Sequence, residues 1–340
     1  MISFSSQRGT TGDYSRGETA RTSQVAGLTN TGESRRTQPL PPRESYELGT
    51  DSGPGYVWKL LLEDPNLATK RLWYTDIKLR PRLARSQSRE IRLGEFRGKK
   101  VIIKRLLRTK RSQSFYVQEF VYQIQLRAAI THPHIVAFIG VAWNNLTDLM
   151  MVLEFLPLGD LATYLQRFGN ELSWENSKYR IAVGIARALV YLHNYATPVV
   201  HRDLRASNVL LTREMEAKVT GFDSSCASED SHRSHLVGGS FWSAPEVLRG
   251  KEYTDKSDIY AFGVLLTELD MTKPPYHDAF SSIGARLKPD QILNEVVQGT
   301  MRPSFSQECP RRIRVIGVGC YQHDPQRRPT AKQLLRLLEA

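Results

Sequence analysis

The sequence predicts an α+β architecture in two lobes, the first rich in strands and the second helical, with a cleft between them. Three observations carry this expectation. β-type runs separated by turn residues fill the chain up to about residue 155. Helical periodicity takes over beyond that point. The length of 340 residues suits one large two-lobed domain plus a tail.

Residues 1 to about 55 are rich in Ser, Thr, Gly and Arg and nearly free of apolar clusters. They cannot bury enough surface to offset ordering entropy, so a disordered basic tail is expected. Within it, Pro39-Leu40-Pro41-Pro42-Arg43 reads as a stiff linker element, ahead of the alternative of a polyproline ligand. Arg35-Arg36-Thr37 has the pattern of a phosphorylation site. Order is expected from Val57, beginning with strands. Ile91 to Phe96 and Lys100 to Leu106 are β-type runs joined by Arg97-Gly98-Lys99, which suits a hairpin. A helical stretch over roughly 112–130 is broken by His132-Pro133-His134. Strand-like segments follow near 135–141 and 149–154. From Tyr179 to His193, apolar residues recur at Ile181, Ile185, Ala188, Leu189 and Leu192, a buried amphipathic helix. Residues 257–270 and 330–339 give further helices.

Composition is that of a soluble protein with a packed core: 40% hydrophobic and 24% charged residues. The net charge is +12 and the pI near 9.6. The Arg residues read as scattered and no nucleic-acid-reading element is found. Diffuse basicity with some attraction to acidic partners is expected, not nucleic-acid binding. Cys226, Cys309 and Cys320 form neither a metal pattern nor a disulfide framework, which suits a reducing compartment. No apolar stretch approaches the roughly 20 residues of a membrane span. The first residues lack the apolar core of a secretory signal, so the cytoplasm is expected.

The most specific string is His201-Arg202-Asp203-Leu204-Arg205-Ala206-Ser207-Asn208, with a helix before it and strand-like Val209-Leu210-Leu211 after it. It resembles the protein-kinase catalytic loop H-R-D-L-x-x-x-N. Further matches occur in order. Val101-Ile102-Ile103-Lys104 resembles the strand lysine motif, Ala244-Pro245-Glu246 the A-P-E motif, and Asp258 the helix aspartate that braces the loop. Arg328, before Pro329, resembles the late arginine that pairs with Glu246.

Residues 57–340 therefore resemble the tyrosine-kinase-like group of serine/threonine protein kinases. Further support comes from the string His132 to Trp143, from Leu158-Gly159-Asp160-Leu161 and from Asp324 to Thr330. The resemblance implies the two-lobed protein-kinase fold. Its β-rich N-lobe, about 57–155, carries one regulatory helix, and its C-lobe, about 156–340, is helical. It implies ATP and Mg²⁺ as cofactors and a protein substrate or partner kinase. It gives Asp203 the proton of the substrate hydroxyl, Asn208 a metal ion, and Lys104 the α- and β-phosphates. Ile91, Ile102, Leu153, the hinge from Glu154 and Leu210 would wall the nucleotide pocket. His201, Arg202, Phe222, Glu246, Asp258 and Arg328 would be structural.

The departures from the family concentrate on nucleotide handling. The glycine-rich loop falls on Ala84-Arg85-Ser86-Gln87-Ser88-Arg89, with Ala84, Ser86 and Arg89 where the glycines belong. Glycine lets backbone amides approach phosphates closely, so loss of that cradle is expected. The D-F-G motif reads Gly221-Phe222-Asp223, which leaves the magnesium position without a ligand. A unit charge pair about 4 Å apart is worth on the order of 4 kcal/mol at an effective dielectric near 20. That is about a thousandfold in rate. Asp223 is the alternative metal carboxylate, should Gly221 let it swing into place.

Gln123 stands where the helix glutamate should pair with Lys104; it can hydrogen-bond the lysine but brings no charge. Glu119, one turn earlier on the same face, could substitute after a shift of the helix, but its pairing with solvent or a local arginine is the favoured reading. Arg127 replaces an apolar residue of the internal spine, which argues against a normally assembled active state. Ile102 replaces a small alanine and should crowd the adenine pocket. Arg205 stands for the lysine of serine/threonine kinases, and Gly239 for the threonine that bonds the catalytic aspartate, with Ser240 one residue displaced. Ser224, Ser225, Ser228, Ser231 and Ser234 offer phosphorylation sites whose phosphate would pair with Arg202. The combined losses favour a catalytically impaired, pseudokinase-like module. Retention of Lys104, Asp203 and Asn208 supports the alternative of an active kinase of low or unconventional activity.

Overall fold

Five strands form the first lobe: β1 (Ile77–Arg85), β2 (Arg89–Phe96), β3 (Lys99–Leu106), β4 (Phe138–Ala142) and β5 (Met150–Glu154). The computed structural model describes residues 54–340 apart from 224, 228–240 and 282. The tail up to residue 53, the positions Gly239 and Ser240, and Ser224, Ser228, Ser231 and Ser234 thus lie outside the described residues. The strands make one antiparallel sheet in the order β1-β2-β3-β5-β4. The expected hairpin joins β2 to β3. Arg97 at φ 49° and Gly98 at φ 76° supply the left-handed pair that a two-residue turn needs.

Register sets the cleft. Ile91 pairs with Lys104 and Lys104 with Met151, while Ile102 pairs with Leu153. Side chains alternate faces along a strand, so Ile91, Ile102, Lys104, Met151 and Leu153 all point to the same side of the sheet. Helix α2 (Ser114–Ala129) packs behind them with Val117, Phe120, Val121 and Ile124 buried. Before the sheet the chain forms a helix, α1 (Pro54–Glu63), where strands were expected from residue 57. Val57 and Leu61, four apart on one helix face, are buried against α2, and Gln125 Nε2 donates to the Leu60 carbonyl at 3.1 Å.

The second lobe is helical, as expected: α3 (Leu161–Phe168), α4 (Ser177–His193), α5 (Pro245–Leu248), α6 (Asp255–Met271), α7 (Pro289–Gln298), α8 (Arg311–Cys320) and α9 (Ala331–Glu339). Ile181, Ile185, Leu189 and Leu192 of α4 are buried in one core with Leu265 and Leu269 of α6 and Leu334 and Leu338 of α9. Helix α6 is buried almost throughout its length. It approaches α8 so closely that a Cβ at Gly263 would stand 2.8 Å from the Cβ of Cys320. Two short ribbons face the cleft: β6 (Val199–Val200) with β9 (Cys226–Ala227), and β7 (Val209–Leu211) with β8 (Ala217–Val219). No helix among the described residues is long and apolar enough to cross a membrane.

The positive charge is not diffuse. Residues 77–111, from β1 to the loop before α2, hold fourteen lysines and arginines against two glutamates, a net +12 that equals the whole chain's excess. The acidic and basic residues elsewhere balance. The excess is visible in a count along this stretch, and the hairpins add its folding onto one small sheet.

Candidate active site

The loop His201–Asn208 lies between β6 and β7 and is braced from below by α6. Asp258 accepts the backbone N–H of His201 at 2.8 Å and that of Arg202 at 2.9 Å, and pairs with His193 Nε2 at 2.9 Å. Arg202 needs that brace because its φ is 68°, an unfavourable value for a side-chain-bearing residue. Burial alone would raise the Asp258 pKa. The hydrogen bond and charge of His193, with the contribution of His201, outweigh it and hold the carboxyl below its ordinary value. Arg328 and Glu246 form a buried two-pronged pair at 2.6 and 2.8 Å. These four residues sit as the sequence placed them. His193 and Glu268 were missed. Glu268 of α6 accepts from the Ala206 N–H at 3.2 Å and from Trp242 Nε1 at 2.6 Å, beneath the loop. A charged residue inside the apolar run Ile259–Leu269 was its only sequence signal.

Asp203 faces the cleft, with both carboxylate oxygens engaged. Oδ2 accepts from Asn208 Nδ2 at 2.8 Å, and Oδ1 lies 3.2 Å from Arg205 Nε. Asn208 Nδ2 also donates to the Asp203 carbonyl at 2.7 Å. Against this amide packs Gly221, at φ 83°. A Cβ there would fall within 2.6 Å of Asn208 Oδ1 and 2.7 Å of Nδ2. The glycine is thus matched to its neighbour as well as to its backbone angle.

Across the cleft, Lys104 Nζ reaches Asp223 Oδ1 at 3.0 Å and Oδ2 at 3.1 Å. Arg89 Nη1 approaches the same carboxylate at 3.3 Å. The Asp223 side chain is 43% exposed at the cleft mouth; its partial desolvation opposes ionisation, but the charges of Lys104 and Arg89 prevail and hold its pKa below the ordinary carboxylate range. Gln123 does not bond Lys104 in this structure. Its Nε2 donates to the Asp223 backbone carbonyl at 2.9 Å. Glu119 lies half-buried one turn earlier on α2. Asp223 therefore supplies the carboxylate that the strand lysine would take from the helix, and the neutral Gln123 holds that carboxylate's backbone.

The loop between β1 and β2 uses its own amides. Ser86 N–H donates to the Arg89 carbonyl at 2.8 Å, and Arg89 N–H to Ser86 Oγ at 3.1 Å. The Ser88 carbonyl is drawn to Leu107 N–H at 2.8 Å. The Arg89 side chain turns inward over Phe120, its Cζ 5.8 Å from the ring centroid. It fills the space beneath the loop, as its bulk predicted.

His201, Phe222 and Arg127 lie against one another in the floor of the cleft. His201 and Phe222 meet edge to face at 4.9 Å, and the Arg127 Cζ lies 4.6 Å from the Phe222 ring centroid while the guanidinium donates to the Val136 carbonyl. A planar cation covers the ring where an aliphatic side chain was expected. Burial pushes the Arg127 pKa down to about 10, with Asp223 and Glu154 opposing the fall, so it remains charged at neutral pH. Lys104, Gln123, Arg127, Thr220, Phe222 and Asp223 border a cavity of about 10 Å³. Gln123 Oε1 and Arg127 Nη1 are buried there without a hydrogen-bond partner among the described residues. The space and polarity suit one water molecule. Ser225 is buried, with its hydroxyl donating to the His201 carbonyl at 2.9 Å, so it is not the exposed phosphate acceptor expected.

On the nucleotide side, half-buried Ile91, Ile102 and Leu210 gather around buried Leu153. Glu154 turns its side chain away, accepting from Lys218 Nζ at 2.8 and 2.9 Å and from Ala137 N–H at 2.5 Å. The residues do not fit a magnesium ion of the family type. Gly221 has no ligand, Asn208 donates through Nδ2 to Asp203 and offers a cation only its Oδ1, and the Asp223 carboxylate is shared by Lys104 and Arg89. Among the described residues no cluster of three or more acidic, His or Cys side chains could hold a metal.

The family described as protein tyrosine and serine/threonine kinase matches residues 77–338. Probable serine/threonine-protein kinase drkA of Dictyostelium discoideum is 29% identical over 264 residues, covering 78% of this chain and 39% of drkA. Serine/threonine-protein kinase CTR1 of Arabidopsis thaliana is 29% identical over 308 residues, covering 89% of this chain and 34% of CTR1. An EPD1-interacting receptor-like cytoplasmic serine/threonine-protein kinase of Nicotiana benthamiana is 31% identical over 236 residues, 65% of this chain and 50% of that protein. The chain spans a third to a half of these relatives' length. The ordered motifs, the two-lobed fold and the family match over residues 77–338 agree, and the chain belongs to the protein kinase family.

Proposed function

We propose that this is a signalling protein of the tyrosine-kinase-like group that works chiefly through its shape, as a scaffold or allosteric partner of another protein, with its phosphoryl transfer strongly impaired. One observation carries the reading: Asp223, the only carboxylate of the Gly221-Phe222-Asp223 string, is paired with Lys104 and Arg89. In that arrangement the phosphate-gripping lysine is neutralised and the metal position is empty of carboxylate. The β1–β2 turn, whose amides bond within the turn, adds a separate handicap. Lesions in distinct parts of one mechanism compound, although not additively. The protein kinase substrate or partner would be met in the cytoplasm.

A second reading has its own support. Lys104, Asp203 and Asn208 are retained, Phe222 is packed between His201 and Arg127, and the relatives are named as serine/threonine kinases. This would make the chain an active serine/threonine kinase of low activity. Transfer of radiolabelled γ-phosphate from ATP to a generic protein substrate separates the two. The impaired reading expects label no higher than in the Asp203→Ala variant. Label that appears with the parent chain and disappears in that variant would establish catalysis.

A further inference from the structure

The outer face of the β1–β3 sheet holds a cluster of arginines around a single carboxylate. Glu90 is buried at 7% exposure. Arg105 Nε hydrogen-bonds its Oε1, Arg92 Nη1 lies 3.5 Å from Oε2, and Arg111 Nη2 lies 3.9 Å from Oε1. Across the β1–β2 ladder, Arg85 stands directly opposite Glu90 and Arg82 directly opposite Arg92. Like charges placed opposite each other in a ladder repel. Three guanidiniums thus share one carboxylate, with Arg82 and Arg85 beside them in the ladder, and the buried Arg111 Nη2 has no hydrogen-bond partner among the described residues. Burial, then the charge of Arg105, push the Arg111 pKa below the ordinary arginine value. The arrangement is short of negative charge.

We propose that this face is a docking site for a phosphorylated, acidic segment of a protein partner, with the phosphoryl group taken between Arg82, Arg85 and Arg92. The inference is independent of whether the cleft transfers phosphate. A phosphomonoester carries nearly two negative charges and three acceptor oxygens, which matches forked guanidinium donors. Recess favours a peptide over a bilayer. The Arg92, Arg105 and Arg111 side chains are only 26%, 16% and 15% exposed, so a flat anionic surface would meet Arg82 and Arg85 and leave the others unsatisfied. A phosphorylated side chain on a flexible segment reaches into the recess.

The test is fluorescence anisotropy of the full chain with a fluorescein-labelled peptide carrying phosphoserine among glutamates, against the same peptide with serine. Three variants are compared: the parent, Arg82→Glu/Arg85→Glu, and the control Arg213→Glu/Arg311→Glu, whose exposed residues lie elsewhere and change the net charge equally. Charge-assisted hydrogen bonds are worth about 1.5–3 kcal/mol, so the first double variant should lose affinity by about tenfold or more while the control stays near the parent. Binding should also weaken with salt. Equal losses in both double variants, no preference for the phosphorylated peptide, or no peptide binding at all would overturn the proposal. So would patch-dependent binding of phosphatidylserine vesicles or duplex DNA in preference to the peptide.

Discussion

Gly221 and Asp223 make the residue-scale case together. A side chain at 221 meets two obstacles: a backbone at φ 83° and the Asn208 amide, itself tied to Asp203 by two hydrogen bonds. Restoring the family's carboxylate with Gly221→Asp is therefore expected to destabilise the fold by about 1–3 kcal/mol from backbone strain, with the Asn208 clash in addition. It should not create magnesium-dependent nucleotide binding. Urea denaturation and a thermal-shift titration check both parts. A variant as stable as the parent that binds ATP only with Mg²⁺ would contradict this account. Arg127 poses a different question, since a buried cation with one unpaired nitrogen is an expensive way to cover Phe222. Replacing buried charge by an apolar side chain of similar size is often neutral or stabilising. Arg127→Leu should therefore stay within about 1 kcal/mol of the parent or exceed it, while Arg127→Ala should lose about 2–5 kcal/mol through the cavity it leaves. Equal losses in the two variants, read from denaturation midpoints, would show that the guanidinium itself is needed.

At the scale of elements, α6 acts as the floor of the catalytic loop through Asp258 and Glu268. Burial pushes the Glu268 pKa from 4.5 up to about 7, against the hydrogen bonds from Trp242 and Ala206 and the charge of Arg205. A carboxyl raised in the folded state stabilises the fold fully below its unfolded pKa, and that contribution is lost as pH rises through the folded value. Between about pH 4.5 and 7, Glu268 should thus cost stability as pH rises, by up to about 3 kcal/mol. His201, whose pKa is lowered chiefly by burial, works in the opposite direction as pH rises. The comparison with Glu268→Gln isolates the glutamate. The parent should fall relative to the variant from pH 4.5 to 7 and run parallel to it above. Parallel curves throughout would remove Glu268 from the pH response.

For the whole molecule, what was legible in the sequence was what is local or strongly patterned. The Arg97-Gly98 turn announced its hairpin, the period of Ile181 to Leu192 announced α4, and the His201–Asn208 string located the site with its distant partners Asp258, Glu246 and Arg328. What was illegible depended on folding distant residues together. The Lys104–Asp223 pair spans 119 residues, and no pattern in either segment predicts that a displaced carboxylate would replace the helix glutamate. The arginine excess along β1–β3 shows in a count, but alternation and hairpin pairing, not spacing, bring it to one face. Helix α1 was missed because its apolar run from Val57 to Leu62 is short enough to read as strand or helix, and only the packing of Val57 and Leu61 on α2 decides.

Asp223 also ties the lobes together, through its side chain to Lys104 of β3 and through its backbone to Gln123 of α2. In this account it serves as the lysine's counter-ion and is unavailable to a metal. Calorimetric titration of ATP into the full chain, once with Mg²⁺ and once with EDTA, tests that most directly. The account predicts weak binding that is no tighter with Mg²⁺ than without it. Affinity that rises about tenfold or more on adding Mg²⁺, equivalent to about 1.4 kcal/mol, would contradict it.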